Sequence, residues 1–316
     1  MFEVNGTADL PNEVKARFVK DFDLPIQVVK HPYFDYYIDL LDSQYKTKAK
    51  LEMFLDALKK FGTENFFKAS SQFVDGIIAH IKAKPGYTAF TQMDMGKFTA
   101  RVSMQKGELY QEANSGHQFI SFDLKQANFS SLRFVNPEIF DNKTDFVDFA
   151  KGFTDSNYFL SSKKLRQVIF GNLSPSRQQT VQRYLVSILY QYLLNAGLGA
   201  EDIKTSNSDE IVIQADTSKE DTKDFINKIV LPDIDFKQLF STDVFSLSKI
   251  GTEKYHFFCK WHETSLMHEI KGVPAAYIPE AIKFMKFSGV YESQMNEADR
   301  FFFQDGRLCA FKTPLF

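Results

Sequence analysis

Two short apolar segments that each meet an acid, with one long helix between them, constrain this chain more than any other feature. Phe119-Ile120-Ser121-Phe122 runs into Asp123, and Ile211-Val212-Ile213 follows Asp209-Glu210. Both segments are aromatic or β-branched and lie beside polar turns, which reads as strand. Between them, Thr180 to Leu194 puts Val181, Leu185, Ile188 and Tyr192 on one side of a helix that Gly197 ends. Residues 203–213 read as a hairpin turning near Ser206-Asn207-Ser208. This order predicts an α+β chain, a sheet backed by helices.

The flanking regions read less sharply. From Tyr33 to Lys84 the pattern is helical. Leu51, Phe54, Leu55, Leu58 and Phe61 share one face and Gly62 ends the run; Phe66, Phe73, Val74, Ile77 and Ile81 line a second run that Pro85-Gly86 stops. Residues 137–160 look irregular or weakly helical. Lys163 to Phe170 looks like a basic helix, ended by Gly171 and Pro175. Residues 214–245 alternate charge with short apolar stretches. Pro279 suits the first turn of a helix over 280–287, and Phe301–Phe303 and Leu308–Phe311 suit strands joined by a turn at Asp305-Gly306. The expected division is a helical part at 1–96, a sheet-bearing part at 97–213 and a C-terminal α+β part at 214–316.

Composition narrows the function classes. The formal charge is -2, so any nucleic-acid affinity has to come from a local basic face. Cys259 and Cys309 stand far apart and form neither a metal cluster nor a disulfide framework. His262 and His268 are six apart, which does not match the four-residue spacing of a helical zinc pair. No apolar run reaches membrane-spanning length, and Met1 to Pro11 carries Glu3 and Asp9 rather than a signal sequence. A cytosolic protein with no membrane partner is expected.

Asp123 and Asp209 carry the chemistry. Ionised carboxylates beside buried strands are costly unless a cation or donor compensates them. Two such acids side by side repel, and a divalent ion relieves the repulsion. Metal-assisted phosphoryl transfer uses carboxylates in this way, with Lys or Arg on the phosphates. Glu210 points away from Asp209 once the strand has begun, as a more distant participant.

Four segments, read in order, resemble the blocks of family A DNA polymerases and their single-subunit RNA polymerase relatives. Thr99-Ala100-Arg101-Val102-Ser103 resembles the Thr-Gly-Arg-Leu-Ser block near the primer–template, with Arg101 on its arginine. Asp123-Leu124-Lys125-Gln126-Ala127-Asn128 is similar to motif A, Asp-Tyr-Ser-Gln-Ile-Glu, with Asp123 on the metal-binding aspartate. Arg166-Gln167-Val168-Ile169-Phe170-Gly171 resembles the nucleotide-binding fingers helix, with Arg166 on the triphosphate lysine and Phe170 behind the incoming base. Ser208-Asp209-Glu210-Ile211-Val212 resembles motif C, His-Asp-Glu-Leu-Val, with Asp209 on the second metal aspartate.

The resemblance implies a much reduced polymerase palm. In it Asp123 and Asp209 hold two Mg²⁺ or Mn²⁺ ions, with Glu210 nearby and the Leu124 carbonyl completing one shell. It implies nucleotide contacts from Arg166, Lys163, Phe170 and Asn128, and primer or template phosphates on Arg101 and Arg177. Its partners are a primer–template and nucleoside triphosphates. Residues 33–84 would stand where the family keeps its thumb. The chain departs from the pattern in several places: Ala100 replaces a glycine, Asn128 the sugar-selecting glutamate, Ile169 the fingers asparagine, Ser174 the closing tyrosine and Ser208 the motif C histidine. Much of the fingers is missing, and no stretch resembles a proofreading exonuclease. These losses leave two expectations: a minimal template-directed nucleotidyltransferase, or a catalytically silent nucleic-acid-binding accessory that works with a replication partner. As a plainer reading, Asn128 caps a helix.

Overall fold

Alternation in the first acid-bearing segment decides where the sheet sits. In a computed structural model, which describes residues 7–215, 219–231, 234–252, 256–263, 265, 267–288, 300–304 and 307–312, strand β1 (Gln118–Leu124) follows the helices α1 (Asn12–Asp21), α2 (Tyr33–Tyr45), α3 (Thr47–Phe61), α4 (Thr63–Lys82) and α5 (Pro85–Gln92). Ile120, Phe122 and Leu124 point to the back of the sheet and join the main core, while Phe119 points forward into a smaller cluster.

After β1 the chain runs through α6 (Ala127–Val135), α7 (Phe146–Ala150), α8 (Asn157–Ser161), α9 (Lys163–Gly171) and α10 (Pro175–Asn195) to the hairpin β2 (Ile203–Ser206) and β3 (Glu210–Gln214). Short helices thus occupy much of the stretch whose weak periodicity predicts little structure. Then come α11 (Lys219–Asn227), α12 (Phe236–Leu239), β4 (Phe240–Lys249), β5 (Phe258–His262), β6 (Met267–Lys271), α13 (Ile278–Ser288) and the hairpin β7 (Phe301–Gln304) with β8 (Arg307–Ala310). The Asp305-Gly306 turn lies outside the described residues.

The strand order is β2-β3-β1-β4-β5-β6. Strand β3 is antiparallel to both β1 and β2, so β1 and β2 run the same way with β3 between them, and β4 is antiparallel to β1 on its other side. This is a split βαβ arrangement, extended by β5 and β6. The sheet draws strands from both sides of residue 213: β4 pairs with β1 from Gln118↔Ser246 to Leu124↔Phe240.

Helices cover the back of the sheet, and one continuous core joins Phe18, Phe54 and Phe66 of the N-terminal helices to Phe122, Leu185 and Ile211. On the front, Leu109 and Tyr110 cover Phe119, Val212, Phe245, Leu247 and Phe258. Among the described residues, no helix is long and apolar enough to cross a membrane.

Candidate active site

The front face is apolar toward one end of β1 and acidic at the other. Ser121 and Asp123 follow Phe119 on the same face at the two-residue period. Asp123 lies directly opposite Glu210, the first residue of β3, and Ser121 lies opposite Val212. Asp209 is the last residue of the turn. The Asn207 side chain holds that turn by accepting from the Asp209 and Glu210 N–H groups at 2.9 and 2.8 Å, and the Asp209 carbonyl accepts from the Leu124 N–H at 2.7 Å. The two strand ends are therefore stitched together at the acids.

Glu210 is closer to Asp123 than its alternation with Asp209 suggests. Register pairs it with Asp123 across the strands, and its Oε1 accepts from the Ser121 hydroxyl at 2.6 Å. Ser121 is 3% exposed, so this hydroxyl is a fixed donor beneath the acids. Its position two residues before Asp123 was the signal available in the sequence.

Burial and the neighbouring carboxylates raise the proton affinity of both aspartates. Asp123 opens to solvent, yet its carboxyl is pushed up to about 6, first by the protein packed around it, then by Glu210 and Asp209; Lys260 opposes the shift. Asp209 is also raised, by burial and then by Glu210, with a backbone hydrogen bond acting the other way. Among the described residues, no group of three or more His, Cys, Asp or Glu side chains is arranged to hold a metal ion by itself.

Lys260 is a cation that no sequence motif flagged. It is 9% exposed, with its Nζ 3.3 Å from Asp243 and 3.9 Å from the centre of the Phe245 ring. His262 joins the same network through Asp243 at 2.7 Å and Glu269 at 3.3 Å, and Lys271 meets Glu269 at 2.6 Å. Hydrogen bonds to Asp243 and Glu269 raise His262 to about 8, against a lowering by burial. A histidine raised in the fold stabilises it fully below the unfolded pKa of roughly 6.5 and loses that contribution as pH rises through the folded value. Urea unfolding of the wild type is therefore expected to weaken by up to about 2 kcal/mol between pH 6.5 and 9. His262→Gln flattens that slope; an unchanged slope in the variant would remove His262 as its source.

The other predicted residues divide. Arg166, on α9, is half-buried and its pKa is lowered by burial, with Asp145 opposing. Asp145 accepts from the Gln126 side chain at 2.7 Å, so Arg166 neighbours the corner that leaves β1. Arg101 is exposed, with its guanidinium 5.7 Å over the Tyr184 ring. Lys163 is exposed and lines a cleft with Lys20 and Lys164 instead of facing the acids.

Three predicted residues have structural occupations. Phe170 is 2% exposed, its ring 5.4 Å from Phe146 and 6.3 Å from Phe140, so it is a core ring with no face for a base. Asn128 lies inside α6 rather than at its cap, which is Gln126, and its Oδ1 accepts from Gln182 at 2.8 Å. Arg177 donates to the Phe90 carbonyl at 3.0 Å and to the Met93 carbonyl, closing the end of α5. Its guanidinium is thus committed within the fold rather than offered to phosphate. Arg177→Ala should cost about 1–3 kcal/mol of stability, because part-buried carbonyls lose a charged donor, while the salt dependence of nucleic-acid binding stays unchanged. A shallower salt slope without loss of stability would reverse this assignment.

No sequence family, curated protein or solved structure matches the chain.

Proposed function

We propose that this protein is a template-directed nucleotidyltransferase whose reaction centre is the Asp123–Asp209–Glu210 cluster on the front of a palm-like sheet. The observation that carries the reading is the cross-strand pairing of Asp123 with Glu210, with Asp209 at the adjoining turn. Two segments that resemble motifs A and C thereby meet in space, although 85 residues separate Asp123 from the next acid of the cluster. The split βαβ order supports the same reading, since it sets β1 beside the hairpin that carries the second acid.

The donor set fits a divalent cation. Carboxylate oxygens are hard ligands, and their mutual crowding is what a divalent charge relieves. Mg²⁺ and Mn²⁺ are held by one or two carboxylates together with substrate phosphates, a donor number that Asp123 and Asp209 could supply. Such ions, when bound, supply charge neutralisation at the phosphates and activation of a 3′-hydroxyl.

The protein's own residues do the rest. Asp123 and Asp209 provide the anionic floor, and Ser121 fixes Glu210 by its short hydrogen bond. The Leu124 carbonyl, next in the chain to Asp123, would complete one coordination shell. Arg166 has no ion pair among the described residues, and its planar fork is suited to phosphate oxygens. Arg101, exposed with its guanidinium over Tyr184 of α10, is suited to a backbone phosphate, where it positions rather than reads sequence. Base pairing with a template supplies specificity.

The test is incorporation of labelled nucleotide on a primed template with Mg²⁺ or Mn²⁺, for the wild type, Asp123→Ala and Asp209→Ala. Incorporation by the wild type alone supports the reading. Equal signals in all three proteins reject it, and template binding with no incorporation by any of them favours the silent accessory.

A further inference from the structure

Lysines crowd one cleft on the helical side of the protein without enough acids to match them. The cleft, about 240 Å³, lies between the end of α1 and the start of α9, and Lys20, Lys163, Lys164 and Gln167 line it together with Asp21 and Asp23. Asp21 is 1% exposed and already engaged, by Arg17 at 2.6 Å and by the Tyr158 hydroxyl at 2.8 Å. Asp23 is therefore the remaining acid against three lysines.

Two further lysines add to the field. Lys50 of α3 sits 5.3 Å over the Phe22 ring, and burial, then Lys163, then Lys46 hold its ammonium below the usual lysine range. Among the described residues, none of Lys20, Lys46, Lys50, Lys163 and Lys164 forms an ion pair with a carboxylate. The chain as a whole carries a formal charge of -2, so this is a local concentration and not a consequence of a basic composition. Repulsion among gathered ammonium groups is relieved by an anion, and phosphate is the anion that lysine binds as a point charge.

We infer that the cleft between α1 and α9 binds the phosphate backbone of a nucleic-acid strand, at a place separate from the carboxylate cluster. The five ammonium groups are spread over α1, the α2–α3 junction, α3 and α9. That spread suits the successive phosphates of a strand better than one free phosphate. The inference rests on the proposed function for the identity of the polyanion, and its test is separate.

The experiment is fluorescence anisotropy of a labelled oligothymidylate of about 20 nucleotides, a length suited to a single-strand groove, titrated at several salt concentrations. The wild type is compared with the triple variant Lys20→Gln, Lys50→Gln, Lys164→Gln, and with the same positions changed to Arg. The expected result is at least about tenfold weaker binding by the glutamine variant, a slope of log affinity against log salt shallower by about 2, and near-wild-type binding by the arginine variant. Thermal melting checks that both variants fold. Equal affinity and slope in wild type and glutamine variant overturns the inference. So does a wild type that binds inorganic tripolyphosphate but not the oligonucleotide. Wild-type incorporation on a primed template serves as the cross-check: lysine-dependent binding by a wild type that incorporates no nucleotide leaves the cleft standing and removes the polymerase reading.

Discussion

Asp123→Asn should lower template-directed incorporation by about a thousandfold or more, because a metal-binding carboxylate contributes several kcal/mol to the transition state and each 1.4 kcal/mol is about tenfold in rate. The same variant should be more stable than the wild type in metal-free buffer at neutral pH. The wild-type carboxyl is raised to about 6 from an ordinary value near 3.8. An acid raised in the fold resists ionisation there, so its ionised form opposes folding at every pH above the folded value. The gain in Tm for Asp123→Asn is expected at pH 7 to 8, shrinks as pH falls through about 6, and is gone below about 4. Asparagine keeps the shape and removes the charge. Activity and stability therefore move in opposite directions, which a purely structural aspartate would not produce. Wild-type incorporation after the substitution ends the catalytic reading, and a lower Tm at pH 7 ends the electrostatic one.

The second large effect is on the fold. Phe54→Ala should cost about 3–5 kcal/mol in urea unfolding, the range for removing a fully buried phenylalanine. Phe54 is 0% exposed, and its ring lies 5.3 Å from Phe18, 5.4 Å from Phe66 and 5.0 Å from Tyr158. These four rings come from α1, α3, α4 and α8, so the cavity opens where the helical part is joined. Incorporation per folded molecule should be unchanged, since the acids are on the other face of the sheet. A cost under about 1 kcal/mol, in a site that normally shows several, would mean that the helices do not meet on this ring.

Helices α3 and α4 were legible because their apolar residues recur at the helical period over long stretches, whereas α1 and α8, which also meet Phe54, were not. The paired faces of α3 and α4 bury Leu51, Phe54 and Leu58 against Phe66, Phe73 and Ile77. The β2–β3 hairpin was legible from its polar turn. Strand β4 was not: its burial alternates irregularly from Phe240 to Lys249, and charged Asp243 stands in the middle. Asp243 is tolerated there because Lys260 and His262 come from the neighbouring strand to pair with it, and no local pattern announces that. Phe170 illustrates the opposite error. A ring in a motif-like setting looks available to a base until the surrounding rings are seen to enclose it.

The amino-acid order by itself determined which segments are helix and strand in the best-patterned regions, that Asp123 and Asp209 end or open apolar strands, and that a long helix lies between them. Local periodicity carries that information, since each residue's face depends on its near neighbours. Only the tertiary structure decided that β3 lies against β1 in the register setting Glu210 opposite Asp123, that Lys260 reaches the same face, and that Arg177 is consumed at the end of α5. Strand order, register and the pairing of distant charges are properties of contacts between segments far apart in the chain, and no local pattern encodes them.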